Sequence, residues 1–374
     1  MLGIVYLAAA ILVTIAFTKR RNTERPTHTE RSESQSTCGV PTVSILKPIR
    51  GNEPRLYENL ASFCQQSYPD YEVIFCLHEE TDPARPVLDR VLADFPDCRG
   101  AILIGTKAGV ANPKIANLIK GSRAARGDII VISDSDVAVG SDYLQSIALS
   151  FRSERVGAAS SLYRGDSQGG FVGQLGAMYV EEQFAPSVLV AARLGPVRFC
   201  LGAAMAVRRT ALDAIGGIEA LGPFLADDHK LGELVAAHGY DVELSPYVVA
   251  TTIAETTLSE LFSHELRWAR TNLVLAPAGY AFSFLTFAVP LTLLYITVSL
   301  NLPLGLALLA LAIALRLMLH VVSLPSFGVS QDRPIWLLPL RGILSVAVWA
   351  SSFFGRSVRW RKTDVSVAAD GTMR

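Results

Sequence analysis

The sequence predicts an α/β domain with a mostly parallel sheet, carried between apolar helices at its N-terminal and C-terminal ends. Between residues 41 and 256 short β-rich runs alternate with helical stretches, the order that places parallel strands beneath helices on both faces. The chain opens on an uncharged apolar run, and after residue 275 charges nearly vanish. Composition agrees: 374 residues at 50% hydrophobic content and a mean hydropathy of +0.34 are too apolar for an ordinary soluble protein, while 18% charged residues demand a part that faces water.

Residues 1–20 read as an N-terminal transmembrane anchor. The run "LGIVYLAAAILVTIAFT" is close to the ~20 residues needed to span a bilayer. A signal peptide would carry basic residues before the run and small residues after it. Here the positive charge follows, at Lys19, Arg20, Arg21, Arg25 and Arg31, which places everything after the anchor in the cytoplasm. Residues 21–40, rich in Thr, Ser, Glu and Arg, form a linker.

In the domain at 41–256, "TVSILKP", "YEVIFCLHE", "GAILIGT", "DIIVISDSD", "VGAASSLY" and "CLGAAMAVRR" read as strands, with helices at 54–66, 84–94, 113–125 and 142–152. Ligands of such sheets sit beyond the carboxyl ends of the strands. Lys47, the stretch from His78 to Asp82, and Asp134 with Asp136 all fall there. No GxGxxG follows the first strand, which argues against dinucleotide binding.

Residues 257–274 form an amphipathic interfacial helix. Leu258, Leu261, Phe262, Leu266 and Ala269 recur at helical spacing, and His264, Arg267 and Trp268 share another side. The segment 275–356 holds three apolar runs read as transmembrane segments, and 357–374 is a basic tail. Arg316 and Arg341 lie inside the second and third runs, where each must face protein, water or headgroups. Three crossings would put the tail "RSVRWRK" on the side opposite the domain, against the positive-inside rule, unless one segment is re-entrant or interfacial.

Balanced charge, with Lys+Arg and Asp+Glu at 34 each, and the lack of a basic aromatic stripe speak against nucleic acid as a partner. The five scattered cysteines, Cys38, Cys64, Cys76, Cys98 and Cys200, have no zinc spacing and read as reduced thiols.

Three constellations carry chemistry. Asp134 and Asp136 flank Ser135 where a buried strand ends. Alone, such a pair is most simply a polar loop; with a diphosphate it becomes a Mg²⁺ or Mn²⁺ site, since these cations take one or two carboxylates plus phosphate oxygens. Asp227 and Asp228 in "LADDHKLGEL" begin a helix, where they serve as dipole partners or as a catalytic base, and the sequence does not separate the two. "TLSELFSHELRWART" supplies His264, Arg267 and Trp268.

The ordered set "VSILKPIRG", "YPDYEVIFCLHEETDPA", "GVANPKIANL", "ISDSDV", "LADD" and "HELRW" resembles the inverting, membrane-bound nucleotide-sugar glycosyltransferases with a GT-A fold. Within them the chain is similar to the ceramide glucosyltransferase group, including bacterial hopanoid-associated members. The resemblance implies transfer of one sugar, glucose or N-acetylglucosamine, from a UDP-sugar to a ceramide-like or hopanoid lipid, with Mg²⁺ or Mn²⁺, at a bacterial inner membrane. It implies that Asp82 meets the base, that Asp134 with Asp136 engages ribose and metal, that Asp228 is the general base, and that Arg267 and Trp268 grip the diphosphate and shape the acceptor site. His264 stands where the commoner pattern has Gln. Lys114, which the residues alone read as solvated at a helix start, is carried as a phosphate-neutralising candidate. Two rivals share these residues: a processive polysaccharide synthase, and a non-catalytic membrane protein that binds lipid or nucleotide.

Overall fold

The computed structural model describes the chain except residues 25–38, 106–108, 169, 300, 332, 356, 361–362, 367, 369–370 and 374. After helix α1 (Leu2–Thr23) come β1 (Val43–Ile49), α2 (Leu56–Cys64), β2 (Tyr71–Leu77), α3 (Arg85–Asp94), β3 (Gly100–Ile104), α4 (Pro113–Ala124) and β4 (Ile129–Ser133). The helices fall within two residues of the expected bounds. β1 pairs in parallel with both β2 and β4, and β2 with β3. Alternation along β1 sends Ile45 into a core cluster with Phe63, Phe75 and Val131, and Leu46 into one with Ile74, Ile119 and Ile130, as a strand covered on both faces requires.

The second half is mixed rather than parallel. It comprises β5 (Val137–Ala138), α5 (Tyr143–Ser150), β6 (Val156–Ser167), α6 (Gly170–Tyr179), a π-helical turn (Val180–Phe184), α7 (Ala185–Leu194), β7 (Ala204–Arg208), α8 (Arg209–Ala214), a 3₁₀ turn (Ile218–Leu221), α9 (Asp227–Ala237) and β8 (Asp241–Ile253). The sheet order is β3-β2-β1-β4-β7-β6-β8-β5. β7 runs antiparallel to both β4 and β6, and β5 antiparallel to β8, while β6 and β8 are parallel. β8 is hidden in the sequence because Pro246 interrupts it. The ladder absorbs the proline in a register shift: Ser161 faces Ser245 but Leu162 faces Val248, so Pro246 and Tyr247 stand in a bulge with no ladder bond demanded of the proline.

The membrane part contains α10 (Leu258–Leu275), α11 (Pro277–Phe282), a 3₁₀ turn (Ser283–Thr286), α12 (Ala288–Ser299), α13 (Leu302–Ser326) and α14 (Leu337–Ser352), followed by the hairpin β9 (Ser357–Trp360) and β10 (Thr363–Ser366). Among the described residues α1 and α13 are long and apolar enough to cross a membrane, and Pro277–Thr286 with Ala288–Ser299 forms a third such span bent by 69°. α1 and α13 end on the same side, since Thr18 Oγ1 donates to Ser326 Oγ (2.6 Å) and Arg21 Nη1 to the Ser326 carbonyl (2.8 Å). α14, at 16 residues, is ~24 Å long and falls short of the ~30 Å hydrocarbon core.

The tail returns to the sheet domain: Leu225 N donates to Gly371 O (3.1 Å) and Met373 N to Pro223 O (2.8 Å). Tail and domain therefore share a side, which an outward bent span and an inward α13 satisfy. The expected third C-terminal crossing is replaced by a short helix lying against α10 and α6, and the charge conflict in the sequence disappears.

Buried ion pairs fasten these helices to one another and to the domain. Arg341 donates to both oxygens of Glu265 (2.6 and 2.7 Å), Arg333 to both of Glu181 (2.9 Å each), and Arg316 with His320 engages Glu182 (2.8 Å each). Both intramembrane arginines thus face protein, as their cost in lipid requires.

Candidate functional site

The ends of β1 and β4 lie side by side, and their last residues build the floor of the site. Lys47, wholly buried in β1, donates to Ser133 Oγ (3.3 Å) and the Asp134 carbonyl (2.5 Å), with its ammonium 3.8 Å from the Phe63 ring centroid. Burial pulls its pKa down to about 7, against the opposing pull of Asp136, Asp134 and Glu53. The turn after β4 is held by Asp134 N donating to the Ala203 carbonyl (3.1 Å) and by Ser135 Oγ donating to Glu53 (2.6 Å). Asp136 accepts from Thr251 Oγ1 (3.1 Å). Burial, then the negative charges of Asp134 and Glu53, push its carboxyl up to about 7.

Lys114 is not solvated. Asn112 caps α4 by accepting from the backbone of Lys114 (2.9 Å), and Pro113 presets the first turn. The Lys114 ammonium then reaches Asp134 Oδ1 (2.8 Å) and Asp227 Oδ2 (3.3 Å), which joins two motifs that lie 93 residues apart in sequence. Asp227, Asp134 and their neighbour Asp228 hold its pKa above the ordinary lysine value against the cost of burial.

Replacing Lys114 by Met should leave the Asp227 carboxylate buried without its cation and lower stability by about 1–3 kcal/mol. Thermal unfolding of the purified variant checks this, and an unchanged midpoint would refute the bridge.

The two neighbouring acids now separate. Asp227 is 4% exposed and is enclosed by Lys114 and Asn112 Nδ2 (3.4 Å). Asp228 reaches the surface of the site, accepts from His229 N (2.8 Å), and lies close against Gly202, where a Cβ would stand 3.0 Å from its Oδ2. Burial and then the charge of Asp227 push the Asp228 carboxyl up to about 6.

α10 begins with a capping box between Thr257 and Glu260. His264 Nδ1 hydrogen-bonds Glu255, and its ring stands edge-on to Trp268 at 4.4 Å between centroids; Trp268 stacks on Tyr179 at 5.8 Å. Arg267 is half-buried and lies in the field of Asp134, Glu255 and Asp136, while burial lowers its pKa. Glu265, between them, turns away to Arg341. Asp82 is 4% exposed and accepts from Gly51 N (2.9 Å) and Ala84 N (2.9 Å), so its carboxylate ties the loop after β1 to the loop after β2.

The structure thus gathers Asp134, Asp136, Lys114, Asp228 and the field of Arg267 around the strand ends, with Asp82 fixing the adjoining loops. Glu53, Glu255, Asp227 in its paired role, and Glu265 are additions. Their signals in the sequence were adjacency to a motif and nothing more. Among the described residues no group of three His, Cys, Asp or Glu side chains is placed to hold a metal.

The profile of Glycosyl transferase family 21 matches residues 1–373. Ceramide glucosyltransferase 1 of Caenorhabditis elegans is 28% identical over 239 residues, 64% of this chain and 51% of that protein. A ceramide glucosyltransferase of Gibberella zeae is 36% identical over 141 residues, 35% of this chain and 27% of that protein. The chain spans about half the length of the first of these relatives. Among solved structures, mannosyltransferase PcManGT from Pyrobaculum calidifontis, in complex with GDP-Man and Mn²⁺, is similar at a TM-score of 0.50 with 18% identity, covering 92% of this chain and 99% of that one. That likeness is one of fold and agrees with the GT-A class.

Proposed function

This chain belongs to Glycosyl transferase family 21, and we propose that it transfers one sugar, glucose or N-acetylglucosamine, from a UDP-sugar to the hydroxyl of a membrane lipid with inversion at the anomeric carbon. The observation that carries the reading is that Lys114 bridges Asp134 and Asp227 at the strand ends, with Asp136 and Asp228 in the same electrostatic field, beside a helix anchored to the membrane bundle.

The donor set fits Mg²⁺ or Mn²⁺: two hard carboxylates, one pushed up to about 7 by burial and by the charges of Asp134 and Glu53, to which diphosphate oxygens would add. Such a metal supplies charge neutralisation on the leaving diphosphate. Lys114 and Arg267 add fixed positive charge to the same group in a partly dehydrated cleft, where it is most effective. Asp82 frames the base pocket by locking the loops around Gly51 and Ala84. Asp228, on the reachable side of its helix start, takes the proton from the acceptor hydroxyl as that oxygen attacks opposite the diphosphate. Trp268, set by His264 and Tyr179, forms the acceptor side, where α10 meets the bilayer surface and a lipid hydroxyl arrives without leaving its leaflet.

The test is a transfer assay in membranes containing the protein. Labelled UDP-glucose and UDP-N-acetylglucosamine are offered with ceramide and with bacteriohopanetetrol, with and without EDTA, and the lipid extract is read by mass. One sugar added to one lipid, lost with EDTA, is expected; a polymer product or no glycolipid from either donor would overturn the reading. Asp134→Asn and Asp136→Asn keep volume but remove charge, so each should nearly abolish transfer while the protein stays folded in the membrane.

A further inference from the structure

Away from the strand ends, a second polar cleft of about 540 Å³ lies where the domain-side ends of α1 and α13 meet the β5–β8 edge of the sheet. Three arginines line it: Arg21 at the end of α1, Arg55 at the start of α2, and Arg164 in β6. Three acids, Glu24, Asp142 and Asp166, line it as well, and two of the arginines are engaged within the protein, Arg55 by Asp166 and Arg21 by the Ser326 carbonyl. Asp166 is paired with Arg55 and accepts from Gln331 Nε2 (2.8 Å), Glu24 is paired with Arg20 (3.0 Å), and Asp142 lies 3.4 Å from the Tyr247 hydroxyl. Arg164 is half-buried, and its side chain has no hydrogen-bond or ion-pair partner among the described residues. That guanidinium is open to an anion entering the cleft.

Two further features point to a ligand. Arg55 is the one non-glycine residue among those described with a left-handed backbone, at φ 58°, a cost that is kept where surrounding structure or a ligand holds it. Gly328, after α13, is left-handed too, at φ +68°, and a Cβ there would stand 2.8 Å from Arg21 Nη2, so the absent side chain leaves the guanidinium its place at the cleft wall. Guanidinium groups converging on a polar cavity select a planar or tetrahedral oxyanion. The ends of α1 and α13 are where these membrane helices leave the hydrocarbon, which sets the cleft at headgroup depth.

We propose that this cleft binds a phosphate-bearing anion and that in the membrane its occupant is the headgroup of an anionic phospholipid, distinct from donor and acceptor. The occupant would lie one loop from the acidic turn, since the segment that carries Arg55 also carries Glu53, the acceptor of the Ser135 hydroxyl.

The full chain is placed in nanodiscs of phosphatidylcholine and of phosphatidylcholine mixed with phosphatidylglycerol, and the lipid retained on the protein is counted by native mass spectrometry. Retention of phosphatidylglycerol over phosphatidylcholine is expected. Arg164→Gln should lower it roughly fivefold, the scale of one basic residue at an anionic surface, and Arg164→Lys should keep most of it. Inorganic phosphate should displace the retained lipid. Equal retention by Arg164→Gln and the unaltered protein would overturn the site, and phosphate binding without lipid retention would overturn the headgroup as occupant. The readout involves no sugar transfer, so it stands or falls apart from the proposed reaction.

Discussion

Asp228→Asn should lower the transfer rate by about 10²–10⁴-fold, the usual contribution of a positioned general base, while UDP-sugar binding stays close to that of the unaltered protein. The substitution keeps shape and volume and removes only the ability to accept a proton. Asp227→Asn should behave differently, because that side chain is enclosed beside Lys114: its loss should show first in stability. A pH profile sharpens the contrast. The Asp228 carboxyl is pushed up to about 6 by burial and by Asp227, and a base acts only when deprotonated. Activity should therefore fall as pH drops through about 6, and Asp228→Asn should remove that component from its small residual rate, leaving the fall that protonation of Asp136 near 7 produces. Binding of the donor by calorimetry, together with single-turnover rates across pH, checks both statements. Loss of donor binding in Asp228→Asn, or an unchanged acid limb, would remove the residue from the base role.

Much of this site is written locally in the sequence. A strand that ends in Ser-Asp-Ser-Asp, a capped helix start at Asn112, and apolar spacing in α10 each obey short-range rules, and the structure puts all of them where those rules do. Long-range pairing is what the sequence does not show. Lys114 looks like a solvated residue until the fold brings Asp134 and Asp227 to it from two other elements. β8 disappears behind Pro246 because the compensating bulge depends on where β6 lies. Sheet direction likewise turns on β7, whose insertion between β4 and β6 leaves no trace in periodicity.

The arginines at 316 and 341 show the same division. Their cost in lipid was legible and required a partner; which partner was not, because Glu182 and Glu265 sit in segments with no reason of their own to be acidic.

Of those pairs, Arg341 with Glu265 should have the larger effect when broken. Glu265 lies on the buried side of α10 between Leu261 and Ala269, one turn from Trp268 and two residues from Arg267. Both partners are essentially unexposed and their contact is bidentate, so removing either leaves a charge with no water and no counter-ion. Arg341→Met or Glu265→Leu alone should cost about 3–5 kcal/mol. The transfer rate should fall further than stability explains, since α10 loses the tie to α14 that holds Arg267 and Trp268 in place and that reaches the domain through the Arg341 bond to the Leu175 carbonyl (3.2 Å). The double variant Arg341→Met with Glu265→Leu removes both charges. It should recover most of the stability, because a buried pair is replaced by apolar packing at little net cost, yet it should not recover the full rate, because geometry specified by two directed hydrogen bonds is exchanged for packing that is less exact in orientation. Thermal unfolding in detergent gives the first half of this prediction and turnover of the folded fraction the second. Single variants as stable as the unaltered protein would show that the pair is not a fastening, and a double variant with full turnover would show that it fastens without positioning.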